Sequence, residues 1–291
     1  MEKAYTMINY NDIIEKVKVA LITAGSTFSE DKKEVYRLAI ERETVPGAKW
    51  VLETTLKNAL IAEQNRSPLC DDSGIPHLYL EVGPNKSVNG HLINAIHQGV
   101  IEGLRALPGR PMAIKGNDLQ RIDQSGGLNI DPGALLAAPI LMKPIDEDVL
   151  RLHILMHGGG PEIRAKTFRV FHQHKVSVVT DEIIEWAVEG SSKLGCSPVT
   201  LAIGIGRSHF EATSLMLEAM VFGNHNIQSE LEKEITEKLN KSKIGPLGLG
   251  GNTTALGTFL KIGPQRASGV RIVSLRPCCG IEPRKASTEL I

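Results

Sequence analysis

Apolar residues recur at helical spacing from Asn11 to about Ala24, with Ile13, Ile14, Val17, Val19 and Ala20 on the repeat, and this predicts a helix. Ser29-Glu30-Asp31 supplies an N-cap and an acidic first turn for a second helix to about Glu43. A third runs from Ala48 to Asn65 and ends before Pro68. His77 to Val82 reads as a short strand and Asn89 to Leu107 as an amphipathic helix. Val149 to Met156 alternates apolar and polar positions, the pattern of a half-buried strand. Thr180 is placed to cap a helix through about Ser192. Val199 to Ile205 is rich in β-branched residues and reads as a buried strand. Phe210–Phe222 and Ile227–Lys241 are helical in pattern, and Ala255–Ile262 and Gly269–Leu275 are strands. The expected fold is α/β mixed (α+β), in a single domain over 1–291. A helical region, 1–65, packs on a mixed sheet with flanking helices, 66–291. The expected sheet uses strands near 77, 150, 176, 200, 258 and 271, in an order the sequence does not reveal.

Three stretches interrupt this pattern. Residues 108–134 are rich in Gly, Pro, Asp and Asn and read as a long loop, of the kind that is usually functional when it sits in a compact domain. His157-Gly158-Gly159-Gly160-Pro161 is nearly bare backbone, and Gly245 to Gly251 is a second glycine-rich loop. Either loop could hold anionic oxygens on backbone N–H groups, or simply make tight turns. Neither fits a nucleotide signature.

Composition narrows the partners. The 291 residues carry no formal net charge, which gives no reason to expect a nucleic-acid or anionic-membrane partner. No apolar run is long enough to span a bilayer. The opening Met1 to Thr6 lacks the basic segment and apolar run of a secretory signal. Four cysteines in a chain of this length are not a disulfide framework, and a cytoplasmic setting is expected.

Those cysteines are the first candidate chemistry. Cys70, Cys196 and the adjacent Cys278 and Cys279 each lie in or beside a Gly/Pro turn next to a strand or helix end. The spacing is not that of a zinc finger or a ferredoxin. Spacing alone leaves two readings: three unrelated buried thiols, or three thiolates holding a [4Fe–4S] cluster with one iron free of protein ligands. Neighbouring side chains diverge, so one of Cys278 and Cys279 ligates at most. Gly204 and Gly206, after Cys196, leave room for another backbone or a ligand. Asp71 and Asp72 follow the first cysteine; Asp71 reads as a turn residue and Asp72 as a candidate for substrate orientation or proton transfer. Arg110, Arg164, Lys166 and Arg284 lie in or beside the loops, and an Arg suits bidentate carboxylate recognition, although most such residues are solvated surface. His172 and His174 read as strand or surface residues.

With these residues in view, the chain resembles the alpha subunit, or N-terminal half, of the class I iron–sulfur fumarases and L(+)-tartrate dehydratases. Cys70-Asp71-Asp72-Ser73-Gly74 looks like the family's Cys-Gln-Asp-Thr-Gly. Gly158 to Lys166 looks like its Gly-Gly-Gly-Ser-Glu-Asn-Lys-Ser-Lys. Cys196-Ser197-Pro198-Val199 with Gly204-Ile205-Gly206 looks like its Cys-Pro-Pro and Gly-Ile-Gly-Gly. Gly248-Leu249-Gly250-Gly251-Asn252-Thr253-Thr254 looks like its Gly-Leu-Gly-Gly-x-Thr-Thr. The resemblance implies a cytoplasmic lyase, a hydro-lyase that moves water on or off a small hydroxy-dicarboxylate such as malate or tartrate. It implies a [4Fe–4S] cofactor on Cys70, Cys196 and Cys278, with Asp72 and Arg110 at the reaction and Arg164, Lys166 and Thr253 binding substrate. It also implies a separate beta subunit that supplies the rest of the active site, hence a hetero-oligomer. Three positions depart from the family pattern: Arg266 stands where the family has a His, Gly257 where it has an Asp, and residues 115–131 do not match its loop. These departures keep open a divergent paralogue, either an enzyme acting on another anion or a non-catalytic cluster carrier.

Overall fold

The structure, a computed structural model, describes residues 9–107 and 109–291. Met1–Thr6 and Pro108, at the start of the expected loop, lie outside the described residues. In chain order the first helices are α1 (Tyr10–Ser26), α2 (Glu30–Arg42) and α3 (Pro46–Asn65), followed by β1 (Ile75–Val82), α4 (Gly90–Ala106) and α5 (Asp118–Asp123). Next come β2 (Leu141–Pro144), β3 (Leu150–His157), α6 (Gly159–Arg164), β4 (Lys166–Phe171) and α7 (Val176–Ser192). The chain ends through β5 (Val199–Gly206), α8 (His209–Phe222), α9 (Glu230–Asn240), β6 (Ala255–Ile262), β7 (Val270–Cys278) and β8 (Lys285–Glu289).

These elements form two compact units. One is Met1–Ser26, Asn65–Met156 and Lys285–Ile291; the other is Thr27–Gln64 and His157–Arg284. The first unit carries a sheet of order β2-β1-β3-β8, with β1 and β2 parallel and β3 and β8 antiparallel. Its core joins Val17 and Leu21 of α1 to Ile96 and Val100 of α4 and to Leu80, Leu152 and Ile154 of the sheet. The two helices come very close because α4 carries glycine at the crossing: a Cβ on Gly99 would lie 2.7 Å from the Ile14 carbonyl oxygen.

The second unit has its own sheet, β4-β7-β5-β6, in which β5 runs parallel to β6 and β7 antiparallel to both β4 and β5. Along β5 the odd positions Val199, Leu201, Ile203 and Ile205 pack with Ile183 and Ala187 of α7 and Ile235 and Leu239 of α9. The even positions turn to α8. A Cβ on Gly204 would lie 2.0 Å from the Ala212 carbonyl oxygen, so Gly204 is there for α8. The space expected beside the strand is filled by that helix backbone.

Several local expectations change. The single sheet becomes two. The expected strand near 176 is the first turn of α7, and the strand itself lies earlier, at β4. Val179, Ile183 and Ala187 explain why: their helical period buries one face on the second sheet, which outweighs the β-branched composition of the run. Thr180 accordingly sits inside α7, its hydroxyl donating to the Ser177 carbonyl, and does not cap it. The bare Gly-Gly-Gly-Pro stretch is the short helix α6, with Pro161 in its first turn where no intrahelical N–H is needed. The 108–134 segment holds α5, closed by a reciprocal capping box between Asn117 and Gln120. Among the described residues, no helix is long and apolar enough to cross a membrane.

Candidate active site

In the first unit the candidate chemistry sits on the turn between α3 and β1. Gly74 has a positive φ of 83°, and its N–H donates to Asp72 Oδ1 at 3.0 Å, so Asp72 closes the turn. Asp71 instead faces Arg110: Nη1 lies 3.2 Å from Asp71 Oδ2, and the Arg110 N–H donates to the Asp71 carbonyl. The Cys70 thiol, partly exposed, lies 3.4 Å from Asp71 Oδ1. Cys70 and Arg110 are thus brought together through Asp71, the residue read as the turn former, while Asp72 carries the turn bond. The hydrogen bond from Cys70, the Asp72 backbone and the Arg110 charge together hold the Asp71 carboxyl below its usual range.

In the second unit three loops meet. Cys196 is exposed, on the turn after α7 where Gly195 takes φ 80°. Ser197 ties that segment to the glycine-rich loop: its hydroxyl donates to the Gly245 carbonyl at 2.6 Å, and Leu247 N–H donates back to the Ser197 carbonyl. On the other side the Gly280 N–H donates to the Cys196 carbonyl at 2.9 Å, which seats the turn after β7 against Cys196. Cys278 ends β7 opposite Thr200, faces α8, and is fully buried with its sulfur 3.4 Å from Met220 Sδ and 3.4 Å from Arg276 Nη1. Burial pushes its thiol up to about 11 and that of Cys279 up to about 12.

The surroundings of these two thiols are charged and dry. Arg276, Arg284, Lys32 and Glu282 are each no more than 1 % exposed. Arg276 pairs with Glu282 and, through Nε, with Glu162 of α6 at 3.2 Å; its Nη2 donates to the Gly158 carbonyl. Glu282 also accepts from the Gly158 N–H and lies 3.6 Å from Arg284 Nη2. Burial alone would raise the Glu282 carboxyl, but Arg276 and Arg284 hold it below its usual range. A hydrogen bond from His157, assisted by Arg276, brings Glu162 down to about 2. Burial brings Lys32 down to about 7 despite the two nearby thiols and Glu282.

Arg164, Lys166 and Thr253 lie elsewhere. Arg164 Nε donates to the Lys193 carbonyl, and Lys166 Nζ stands 2.6 Å from the centre of the Trp186 ring. Both border a shallow cavity of about 170 Å³ against α7, on the Pro277 side of β7, whereas Cys278 faces α8. Thr253 is buried at a cavity of about 330 Å³ bordered by α2, α9 and the start of β6. That cavity also reaches His225, whose ring links Asp31 (Nδ1, 2.9 Å) to Thr200 (Nε2, 3.1 Å). Hydrogen bonds from His225 and Ser29 hold the Asp31 carboxyl below its usual range against the opposing effect of burial.

Lys32, Tyr36, Arg276 and Glu282 were not foreseen. One signal was available: Arg276 interrupts an apolar strand, and a charge in such a run has to be paired inside. Cys70 belongs to the first unit and Cys196 and Cys278 to the second. Among the described residues, no three His, Cys, Asp or Glu side chains gather into a metal-holding group.

Comparison with known proteins gives the arrangement a family. Residues 14–289 match the family model for fumarate hydratase (fumerase). The chain is 28 % identical over 260 residues to a putative L(+)-tartrate dehydratase subunit alpha of Methanocaldococcus jannaschii, covering 86 % of this chain and 88 % of the relative. It is 26 % identical over 277 residues to the L(+)-tartrate dehydratase subunit alpha of Escherichia coli K12, covering 92 % and 88 %. A match along nearly the whole chain, through every cysteine-bearing turn, leaves one conclusion: the chain belongs to the fumarate hydratase family of hydro-lyases.

Proposed function

We propose that this chain is the cluster-bearing subunit of a cytoplasmic hydro-lyase that adds water to, or removes it from, a small hydroxy-dicarboxylate of the malate or tartrate kind. The observation that carries the reading is the family match over residues 14–289, which spans all four cysteines. The proposed cofactor is a [4Fe–4S] cluster on Cys70, Cys196 and Cys278. The chemistry of the donor set supports the fit. Thiolates and the cluster they hold are anionic, and the buried surroundings of Cys278 and Cys279 contain Arg276 and Arg284, with Lys32 beside them, against one fully buried carboxylate, Glu282, and the half-exposed Glu162. An excess of buried positive charge is costly unless an anion offsets it. The backbone bond from Gly280 to Cys196 supports the same fit by seating two cysteine-bearing segments together.

Once bound, an iron without a protein ligand supplies a Lewis acid for a substrate hydroxyl or carboxylate. The chain's own residues do the rest. Arg110, held by Asp71, presents a guanidinium fork suited to a substrate carboxylate. In the proposed reaction Asp72, whose Oδ1 accepts from the Gly74 N–H, orients a hydroxyl or holds a proton. Arg164, Lys166 and Thr253 belong to the proposed substrate-binding set, although in this structure Arg164 and Lys166 are engaged by α7. The names of the relatives, subunit alpha, support a partner beta subunit and a hetero-oligomer as part of the proposal.

Purification without oxygen tests the reading. The full chain should be brown, with iron and acid-labile sulfide in equal amounts, and Cys70→Ser, Cys196→Ser and Cys278→Ser should each lose the iron while Cys279→Ser keeps it. A colourless, iron-free chain sinks the cofactor assignment. Loss of iron in Cys279→Ser with retention in Cys278→Ser reverses the ligand choice. Dehydration of malate or tartrate should require the beta partner, and full turnover by this chain alone overturns the division of labour.

A further inference from the structure

The turn that follows β7 is gripped from outside its own strand. Lys32 and Tyr36 of α2 are four residues apart, which puts them on one face of the helix. Each donates to a carbonyl of the same turn: Lys32 Nζ to the Glu282 oxygen at 2.5 Å, and Tyr36 Oη to the Gly280 oxygen at 2.7 Å. Both side chains are buried, and Phe28 holds them in place. Its ring lies 4.7 Å under the Lys32 ammonium and 5.6 Å from the Tyr36 ring. Gly280 permits the approach, because a Cβ there would lie 2.9 Å from the Tyr36 hydroxyl. The same Gly280 then bonds Cys196 through its N–H. The path from α2 to the cysteine-bearing segments is therefore continuous: helix face, two carbonyls, one glycine, Cys196.

A helix that only needed to pack on the sheet would do so with apolar residues. Instead α2 buries an ammonium and a phenol, each hydrogen-bonded to a carbonyl of the turn that carries both neighbouring thiols. Burying these groups is worthwhile only where the geometry they set matters, since an apolar pair of like size would cost less to bury.

We propose that Lys32 and Tyr36 are positioning residues: they clamp the Cys278–Glu282 turn and thereby fix the direction in which it presents its cysteine to the cofactor. The purpose of the clamp rests on the cluster reading above; the clamp itself does not. The predicted consequence is local. Weakening either bond loosens the turn while leaving the first unit unchanged.

The test uses the full-length chain with Tyr36→Phe, which removes only the hydroxyl, and Lys32→Met, which keeps the stem and removes the ammonium. In the iron-free chain, hydrogen exchange of a peptide covering 276–284 should quicken at least tenfold in both variants, while peptides from α4 stay within twofold of wild type. After anaerobic reconstitution and reduction, the electron paramagnetic resonance spectrum of Tyr36→Phe should shift from wild type at comparable iron content. Unchanged exchange in Tyr36→Phe overturns the clamp, whether or not Lys32→Met folds. Quickened exchange with an unshifted spectrum overturns the positioning role, because the loosened turn then does not orient a ligand. If the wild-type chain takes up no iron, the cluster reading fails by itself, and the exchange measurement still decides the clamp.

Discussion

The turns bearing Cys70 and Cys278 are built in opposite ways. The Cys70 turn lies open: Asp71 and Arg110, 39 residues apart, pair with side chains 73 % and 57 % exposed, and Asp72 bonds a backbone N–H two residues away. The Cys278 turn is assembled from residues far apart in the chain and is sealed. Arg276, Glu282 and Arg284 share it with Lys32 from α2 and Glu162 from α6, and nearly all of that charge is buried. The difference separates two tasks. An open turn can adapt to a substrate and tolerates change, since an exposed ion pair contributes little. A sealed turn holds a fixed direction, because each buried charge depends on every other for its compensation.

The strongest way to break this comparison is at Glu282. Glu282→Gln leaves Arg276 and Arg284 without their shared buried carboxylate and should cost about 3–5 kcal/mol, the usual penalty for removing one partner of a buried pair. Urea unfolding measures it, and a loss near zero would mean that the cluster of charges is not sealed. Next is the seat of α8 on β5. Gly204→Ala drives a methyl into the α8 backbone and should cost about 1–3 kcal/mol or more, read as a lower urea midpoint.

A smaller effect concerns acid. The His157 hydrogen bond and the Arg276 charge hold the Glu162 carboxyl at about 2, below the ordinary glutamate value of 4.5. Its contribution is therefore full above about pH 4.5 and is lost as pH falls towards about 2. The gap in urea midpoint between wild type and Glu162→Gln should narrow as the buffer is taken from about pH 6 to about pH 3. A gap that widens on acidification contradicts the sign of the shift. The smallest effect belongs to the open turn: Asp71→Asn should leave the unfolding midpoint unchanged within error while weakening whatever Arg110 binds. A large loss of stability there would erase the distinction between the two turns.

Much of the architecture is legible in the sequence. The β6 boundaries match the sequence pattern, and those of α1, α2, α4 and β3 agree within a residue or two; the helices each bury one face at the matching period, whereas β3, expected to be half-buried, is buried on both faces. Residues 176–192 were misread at their start because Val176, Val178 and Val179 carry strand composition on a helical face. β8 escaped notice because it is short, and its place beside β3 is set by pairing across more than a hundred residues. At the candidate site, turn signals and the family resemblance single out the cysteines, Asp72 and Arg110 as candidates. The partners of the Cys278 turn are not singled out, since Lys32 and Tyr36 lie 250 and 244 residues away in sequence from the carbonyls they hold.

The sequence by itself determined most of the longer elements, the family resemblance and the turn context of the cysteines, because periodicity, glycine placement and local motifs act within a few residues. Only the tertiary structure decided that Gly204 serves α8, that Asp71 and not Asp72 meets Arg110, and that α2 grips the Cys278 turn. Each of those depends on which distant groups share a buried volume. Burial couples charges and hydrogen bonds across the fold in a way that no local pattern records.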